Sequence, residues 1–285
     1  MKVLVWLMMM LPCVSSTNLT CNCGWQNLRR IYGGKETKKN QYPWMVALNI
    51  GCGGSIITPY HVLTAAHCTY QRFAIQLKVY VGLHYRYGRD NPYSNIHLVY
   101  RIFQHEGYDD DEVINDISIL YLFTGIKFHQ KVGPVCLPHT QRNLEGKFIK
   151  VTGWGRTINT GDQNVLREVD VQVISIEECQ KKWGKIPIRQ TQICAYTPFK
   201  DSCNASILQS IQSVFMCFYV LYKCMLLGAF RGDSGGPLVY EDPDTHRFTQ
   251  VALVSFGPED CGTDPLPSVN TNVFSYVDWI RNVVT

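Results

Sequence analysis

A serine flanked by glycines, in Gly232-Asp233-Ser234-Gly235-Gly236-Pro237, is the sharpest chemical signal in the chain. A Gly-rich turn leaves backbone N–H groups uncovered, and small neighbours let a carbonyl come close. Those N–H groups can hold a developing oxyanion. A serine hydroxyl is a weak nucleophile, so this chemistry requires a base and an orienting carboxylate elsewhere. Taken by itself, the hexapeptide is also compatible with an ordinary Gly-rich turn. His67, in Leu63-Thr64-Ala65-Ala66-His67-Cys68, is the candidate base. Small residues before it and a cysteine after it suggest a histidine held on a stapled loop. Asp116, in Asn115-Asp116-Ile117-Ser118-Ile119-Leu120, leads straight into an apolar strand. Such an acid is either a strand-edge cap or the buried partner of a charge, and alone the cap is the better reading. Together, the chain order His, Asp, Ser fits one known arrangement of base, orienting acid and nucleophile.

The elements that must position these residues read as all-β. Short apolar runs recur between Gly, Pro, Asn and Asp: 44–50, 77–81, 117–122, 148–152, 169–174, 237–239 and 251–256. Runs of this length and spacing suggest a sandwich or a barrel. Only 276–284 spaces its apolar residues like a helix, through Tyr276, Val277, Ile280, Val283 and Val284. The 285 residues, 46% of them hydrophobic, suit one large or two small domains and exclude a disordered chain. A net charge of +4 argues against a dedicated nucleic-acid binder. Twelve cysteines point to a secreted disulfide framework. The N-terminus agrees: Met1-Lys2 is followed by nine apolar residues, Val3 to Leu11, then Pro12 and small residues up to Ser16. That is the pattern of a signal peptide ending at Ser16, and it is too short to span a membrane, which needs about 20 residues. Asn18-Leu19-Thr20 fits a glycosylation acceptor.

In its motifs the chain resembles the chymotrypsin/trypsin family of serine proteases. The resemblance rests on a series in order: Ile31-Tyr32-Gly33-Gly34, Gly51-Cys52-Gly53-Gly54-Ser55, Thr64-Ala65-Ala66-His67-Cys68, Asp116-Ile117, Gly153-Trp154-Gly155, Gly232 to Pro237, and Ser255-Phe256-Gly257. It implies two six-stranded antiparallel β-barrels, an active site between them and a C-terminal helix. It implies that Ser234 attacks a peptide carbonyl, that His67 moves the proton, and that Asp116 orients the imidazole. The N–H groups of Gly232 and Ser234 would form the oxyanion hole. It implies a zymogen cut after Arg30, whose new Ile31 amino group pairs with Asp233; Tyr32 stands where the family usually has Val. Asp201 aligns with the base of the S1 pocket, which implies cleavage after Arg or Lys. Gly257 fits an open pocket wall, whereas Ser268 replaces the usual Gly and Asn270 a common Tyr. The implied disulfides are Cys52–Cys68, Cys179–Cys194, Cys203–Cys261 and Cys136 with Cys23, Cys21 being the alternative partner. No metal or other cofactor is expected. Expected partners are protein or peptide substrates, an activating protease and serpin or Kunitz-type inhibitors. Neither nucleic acid nor membrane is expected, and the molecule should be a monomer.

The resulting organisation is a signal peptide at 1–16, a propeptide at 17–30 and a peptidase domain at 31–285. One stretch, Asn204 to Phe230, does not belong: it is apolar, carries Lys223 as its single charge and separates Cys203 from Arg231. In the family those two positions adjoin, and deleting the 27 residues restores an Asp-Ser-Cys-Arg-Gly-Asp-Ser-Gly-Gly-Pro run. The expectation is a retained in-frame intron or a gene-model error. A loop emerging beside S1 and the oxyanion hole should impair activity. The competing reading is therefore a catalytically silent homologue with a binding or regulatory role.

Overall fold

The computed structural model describes residues 22–27, 35–87, 95–155, 164–196, 233–258 and 266–285. Six strands close the first barrel: β2 (Met45–Leu48), β3 (Gly53–Ile56), β4 (His61–Thr64), β5 (Lys78–Val81), β6 (Asn95–Gln104) and β7 (Ser118–Leu122). Their order around it is β2-β3-β4-β7-β6-β5, antiparallel throughout. The second is built from β8 (Phe148–Gly153), β9 (Arg167–Ile174), β10 (Gln192–Tyr196), β11 (Pro237–Glu241), β12 (Phe248–Phe256) and β13 (Ser268–Asn272). Their order is β9-β10-β13-β12-β11-β8, and pairing of β8 with β9 closes it. A two-residue β1 (Lys35–Glu36) adds to the outer edge of β9. Closure removes the exposed sheet edges that invite aggregation.

The expected apolar runs fall on β2, β5, β7, β8, β9, β11 and β12. β3, β4, β6, β10 and β13 had no such signal. Among the described residues three short α-helices accompany the barrels: α1 (Ala66–Thr69), α2 (Ile176–Trp183) and α3 (Val277–Val284). α3 starts one residue later than its periodicity suggested, because Val273–Tyr276 forms a 3-10 turn capped by the Asn272 side chain. α2 was not anticipated, although Ser175 accepts from the Glu178 N–H as an N-cap and Lys181 and Lys182 close its last turn.

Each barrel has its own apolar interior. Val46, Ile56, Val62, Leu77 and Leu120 fill the first, and Ile149, Val171, Leu238, Ala252 and Val269 the second. A third cluster welds the two together: Trp44, Ile117 and Leu63 from the first meet Phe248, Leu253 and Val239 from the second. Trp44 and Phe248 are essentially solvent-free and lie 5.5 Å apart. Burying such a side chain contributes about 2–3 kcal/mol. Ile280 and Tyr276 tuck the C-terminal helix into the same cluster, so that helix helps to seal the seam between the barrels. No helix of the described residues is long and apolar enough to cross a membrane.

Candidate active site

His67 sits on α1, a single helical turn directly after β4. Three ties fix that turn. Cys68 forms a disulfide with Cys52, Thr64 Oγ1 donates to the Gly53 carbonyl at 2.8 Å, and Thr69 Oγ1 donates to the Ser118 hydroxyl at 3.0 Å. Asp116 is 1% exposed at the entrance to β7, a buried partner of a charge rather than a strand-edge cap. Its Oδ1 accepts the backbone N–H of His67 and its Oδ2 faces His67 Nδ1, both at 2.8 Å. Two bonds to one residue fix both the position and the rotation of the imidazole.

Asp116 is itself held from the second barrel. Ser255 Oγ donates to Oδ2 at 2.6 Å, and Thr271 Oγ1 donates to the backbone carbonyl at 2.9 Å. The chain reaches Asp116 through Asn115, whose φ of 52° lies in the left-handed region. Asparagine tolerates that conformation, and here its side chain donates to Gly107 O and accepts from Tyr276 Oη. Burial opposes ionisation of Asp116, but the charge and hydrogen bond of His67, with the Ser255 bond, hold its carboxyl below the usual range. Burial also opposes the imidazolium, yet Asp116, through charge and hydrogen bond, and then Asp110 hold the His67 pKa above its ordinary value. Asp110 is kept in place by Tyr108 Oη, which donates to it at 2.9 Å.

Ser234 lies in the turn Asp233–Gly236, closed by the Gly236 N–H to the Asp233 carbonyl at 2.7 Å. The turn is wedged against the loop that carries His67. Gly53 N–H donates to the Ser234 carbonyl at 2.8 Å. Gly235 has φ 73°, and a Cβ there would overlap Thr64 Oγ1 and come within 2.9 Å of the Ala65 nitrogen. Only glycine permits both the conformation and the approach. β12 clamps the turn from behind, since Gly235 N–H donates to the Val254 carbonyl and Val254 N–H to the Gly236 carbonyl. Val254 thus fixes the serine turn, and its neighbour Ser255 fixes Asp116. One strand of the second barrel registers two groups that the chain separates by more than a hundred residues.

Asp233 is 5% exposed, and its Oδ1 accepts the Gly155 N–H at 2.7 Å. A side chain at Gly155 would strike this carboxylate, which explains the glycine after Trp154. Burial pushes the Asp233 pKa up to about 6, against the Gly155 hydrogen bond and the charge of Arg86.

Other residues expected at the site are distributed as follows. Gly257 is buried just beyond Ser255. Ser268 is buried on β13, where its hydroxyl donates to the Ala195 carbonyl at 3.1 Å and accepts from Asn270 Nδ2. Disulfides join Cys52–Cys68, Cys179–Cys194 and Cys23–Cys136, the last selecting Cys23 over Cys21. Asn18, Arg30, Ile31, Asp201, Cys203, Gly232, Cys261 and the 204–230 stretch lie outside the described residues. Cys52, His67 and Cys68 crowd within 4.8 Å of one another, but the two sulfurs share a disulfide and offer no thiolate to a metal. Sequence reasoning assigned no role to Ser255, Thr271, Asn115, Tyr108 or Asp110. Ser255 was the one within reach, because it stands inside the Ser-Phe-Gly motif already singled out.

A histidine and its acid on one barrel, set against a glycine-flanked serine clamped by the other, is the arrangement of the two-barrel serine proteases. The chain belongs to the trypsin family, whose model matches residues 31–206 and 200–280. It is 34% identical to "Venom serine protease 34" of Apis mellifera over 93% of this chain and 60% of that protein. It is 30% identical to "Venom serine protease" of Polistes dominula over 99% of this chain and 95% of that protein. It is 32% identical to "Clotting factor G beta subunit" of Tachypleus tridentatus over 92% of this chain and 82% of that protein. The chain therefore spans nearly all of the Polistes protein and less than two thirds of the Apis protein.

Proposed function

We propose that the chain is a secreted serine endopeptidase, made as a zymogen, that cuts peptide bonds after Arg or Lys. The observation that carries the reading is the Ser255–Asp116–His67 relay, seated where the Ser234 turn is clamped. In this mechanism Ser234 Oγ attacks the substrate carbonyl carbon while His67 Nε2 takes its proton. The tetrahedral oxyanion is held by the N–H groups of Ser234 and Gly232. His67 then protonates the leaving amine and the acyl–Ser234 ester forms. Water attacks the ester with His67 again as base, releasing the acid and restoring Ser234. Asp116 stays ionised and stabilises the imidazolium.

Activation by cleavage after Arg30 is supported by the buried Asp233 carboxylate, whose raised pKa suits it to receive a new ammonium. Cys23–Cys136 would keep the cleaved propeptide attached. Preference for Arg or Lys rests on Asp201 in the sequence. Secretion is supported by the leader-like N-terminus, the three disulfides among the described residues and relatives named for venom and clotting. A second reading, a silent binding homologue, is favoured by the 204–230 stretch between Cys203 and Arg231 and by a family match that comes in two pieces.

The test compares the chain cut after Arg30 with and without Asn204–Phe230. Both are treated with a fluorophosphonate and a P1-Arg peptide. The shorter form should label at Ser234 and turn the peptide over, and the full form should do so far more slowly. The rate should rise with pH through a midpoint above the ordinary histidine value, since the base must be neutral and its pKa is raised. A shorter form that neither labels nor cleaves would sink the protease reading. Equal rates in both forms would sink impairment. Transcripts that never join codon 203 to codon 231 would sink the retained-intron account.

A further inference from the structure

The outer wall of the first barrel around β6 carries apolar side chains toward solvent. On β6 the inward positions are His97 and Val99, and the outward ones are Ile96, Leu98 and Tyr100. Tyr100 is 59% exposed, and Phe123, at the end of β7, is 66% exposed. The rings interlock along the wall. Tyr100 meets Phe123 edge-on at 5.2 Å and Tyr121 at 6.0 Å, and Tyr121 stacks on Tyr60 at 6.0 Å. The Phe123 N–H donates to the Leu98 carbonyl at 3.0 Å, which makes the two neighbours. This contiguous apolar face is independent of the site described above. Contiguous apolar faces on soluble proteins mark contact surfaces.

Charge says what kind of contact. Strands β5, β6 and β7 contain no Asp or Glu; Asp90 lies in the β5–β6 connection, and Glu106, Asp109, Asp110, Asp111, Glu112 and Asp116 lie in the β6–β7 connection beyond Gln104. The strands do contain cations at the edge of the apolar face. Lys78 is the Cα partner of Leu98, and Arg101 is the Cα partner of Tyr121. Both are exposed, and neither pairs with a carboxylate among the described residues. Arg101 lies over the Phe103 ring at 4.6 Å, so its guanidinium is held ready. Outward residues on β6 repeat every two positions, about 6.6–6.8 Å. That spacing matches alternate side chains of an extended peptide. The rings lie against one another along the wall instead of projecting from loop tips, which suits a polypeptide better than insertion into a lipid interface.

We propose that this face, centred on Leu98, Tyr100 and Phe123 and edged by Lys78 and Arg101, docks an extended acidic segment of a partner protein that alternates carboxylates with apolar side chains. The proposal does not depend on the protease reading, and its test measures binding alone. The full chain is titrated into a fluorescein-labelled peptide that alternates Glu with Phe and Leu, and anisotropy is followed at low and high salt. Saturable binding that weakens with salt is expected. Tyr100→Ala with Phe123→Ala, and separately Lys78→Glu with Arg101→Glu, should each weaken it at least about tenfold. The charge-reversed variant should instead take up the same peptide with Lys in place of Glu. Each variant is first shown to unfold at the midpoint of the parent chain. Absence of saturable binding, or equal binding by all variants, overturns the proposal. So does binding to phosphatidylserine vesicles in place of the peptide, which would make the face a membrane surface. A monomer–dimer equilibrium abolished by Tyr100→Ala and Phe123→Ala, with no peptide binding, would make it a self-association surface and equally overturn the proposal.

Discussion

Replacing Asp233 by asparagine should stabilise the uncleaved chain at neutral pH and leave it nearly unchanged in acid. The carboxylate is buried, and its folded pKa is pushed from 3.8 to about 6. In the unfolded chain the group loses its proton at the ordinary lower value. Between the two values the folded state holds more protons, so stability falls as pH rises through that window. The cost is absent below the lower value and complete above about 6. A shift of roughly two units corresponds to about 3 kcal/mol. The asparagine keeps an oxygen for the Gly155 N–H, and its amide N–H needs a partner much as the O–H of the protonated carboxyl does, so the two forms match in acid. The gain above neutral pH is therefore about 3 kcal/mol, a large fraction of a marginal stability.

Urea unfolding of parent and variant, both uncleaved, at about pH 4 and about pH 7.5 measures this gain directly. The two midpoints should coincide in acid and separate above neutrality, with the variant higher. A variant that is less stable at the higher pH, or equally more stable at both, would show that Asp233 is not a buried charge in search of a partner. After cleavage before Ile31 the sign should reverse. The proposed ammonium then pairs with Asp233, and Asp233→Asn should cost both stability and serine labelling. One substitution with opposite effects on two forms of one chain cannot be explained by packing alone.

Ser255→Ala removes a 2.6 Å donor from a buried carboxylate. At about 1.5–3 kcal/mol for such a bond, kcat/KM of the activated enzyme on a P1-Arg peptide should fall roughly 10–100-fold with little change in KM. An unchanged kcat would show that His67 alone orders Asp116. Gly235→Ala drives a methyl group into Thr64 and Ala65 at φ 73°, so fluorophosphonate labelling of Ser234 should collapse and stability should drop by about 2 kcal/mol or more. Normal labelling would mean that the serine turn can move away from β4. Cys23→Ser should release the propeptide after cleavage at Arg30, seen as two separate chains on a non-reducing gel, whereas the parent stays linked. Persistent linkage would assign the tether to Cys21.

The parts of the candidate site stood out because their motifs are local: the serine turn, the histidine before Cys68 and the acid before β7 each occupy a few contiguous residues. The burial of Asp116 was not, since the groups that complete it, Ser255 and Thr271, lie 139 and 155 residues away along the chain. The strands divide the same way. β2, β7 and β12 are apolar enough to stand out on their own. β3 is Gly-Gly-Ser-Ile and β4 His-Val-Leu-Thr, and they are fully buried only because the barrel closes around them. β6 is a different case, for its alternation carries apolar residues outward as well as inward. His97 is buried, burial lowers its imidazole pKa against the Thr124 hydrogen bond, and its Nδ1 lies 3.0 Å from the Thr124 carbonyl, while Leu98 faces water. A rule that sends leucine inward and histidine outward must fail there. Outward Ile, Leu and Tyr gain nothing from the fold, and an inward His costs desolvation unless it is hydrogen-bonded. The pattern that hid β6 in the sequence is therefore the physical reason to regard its outer face as a surface made for contact.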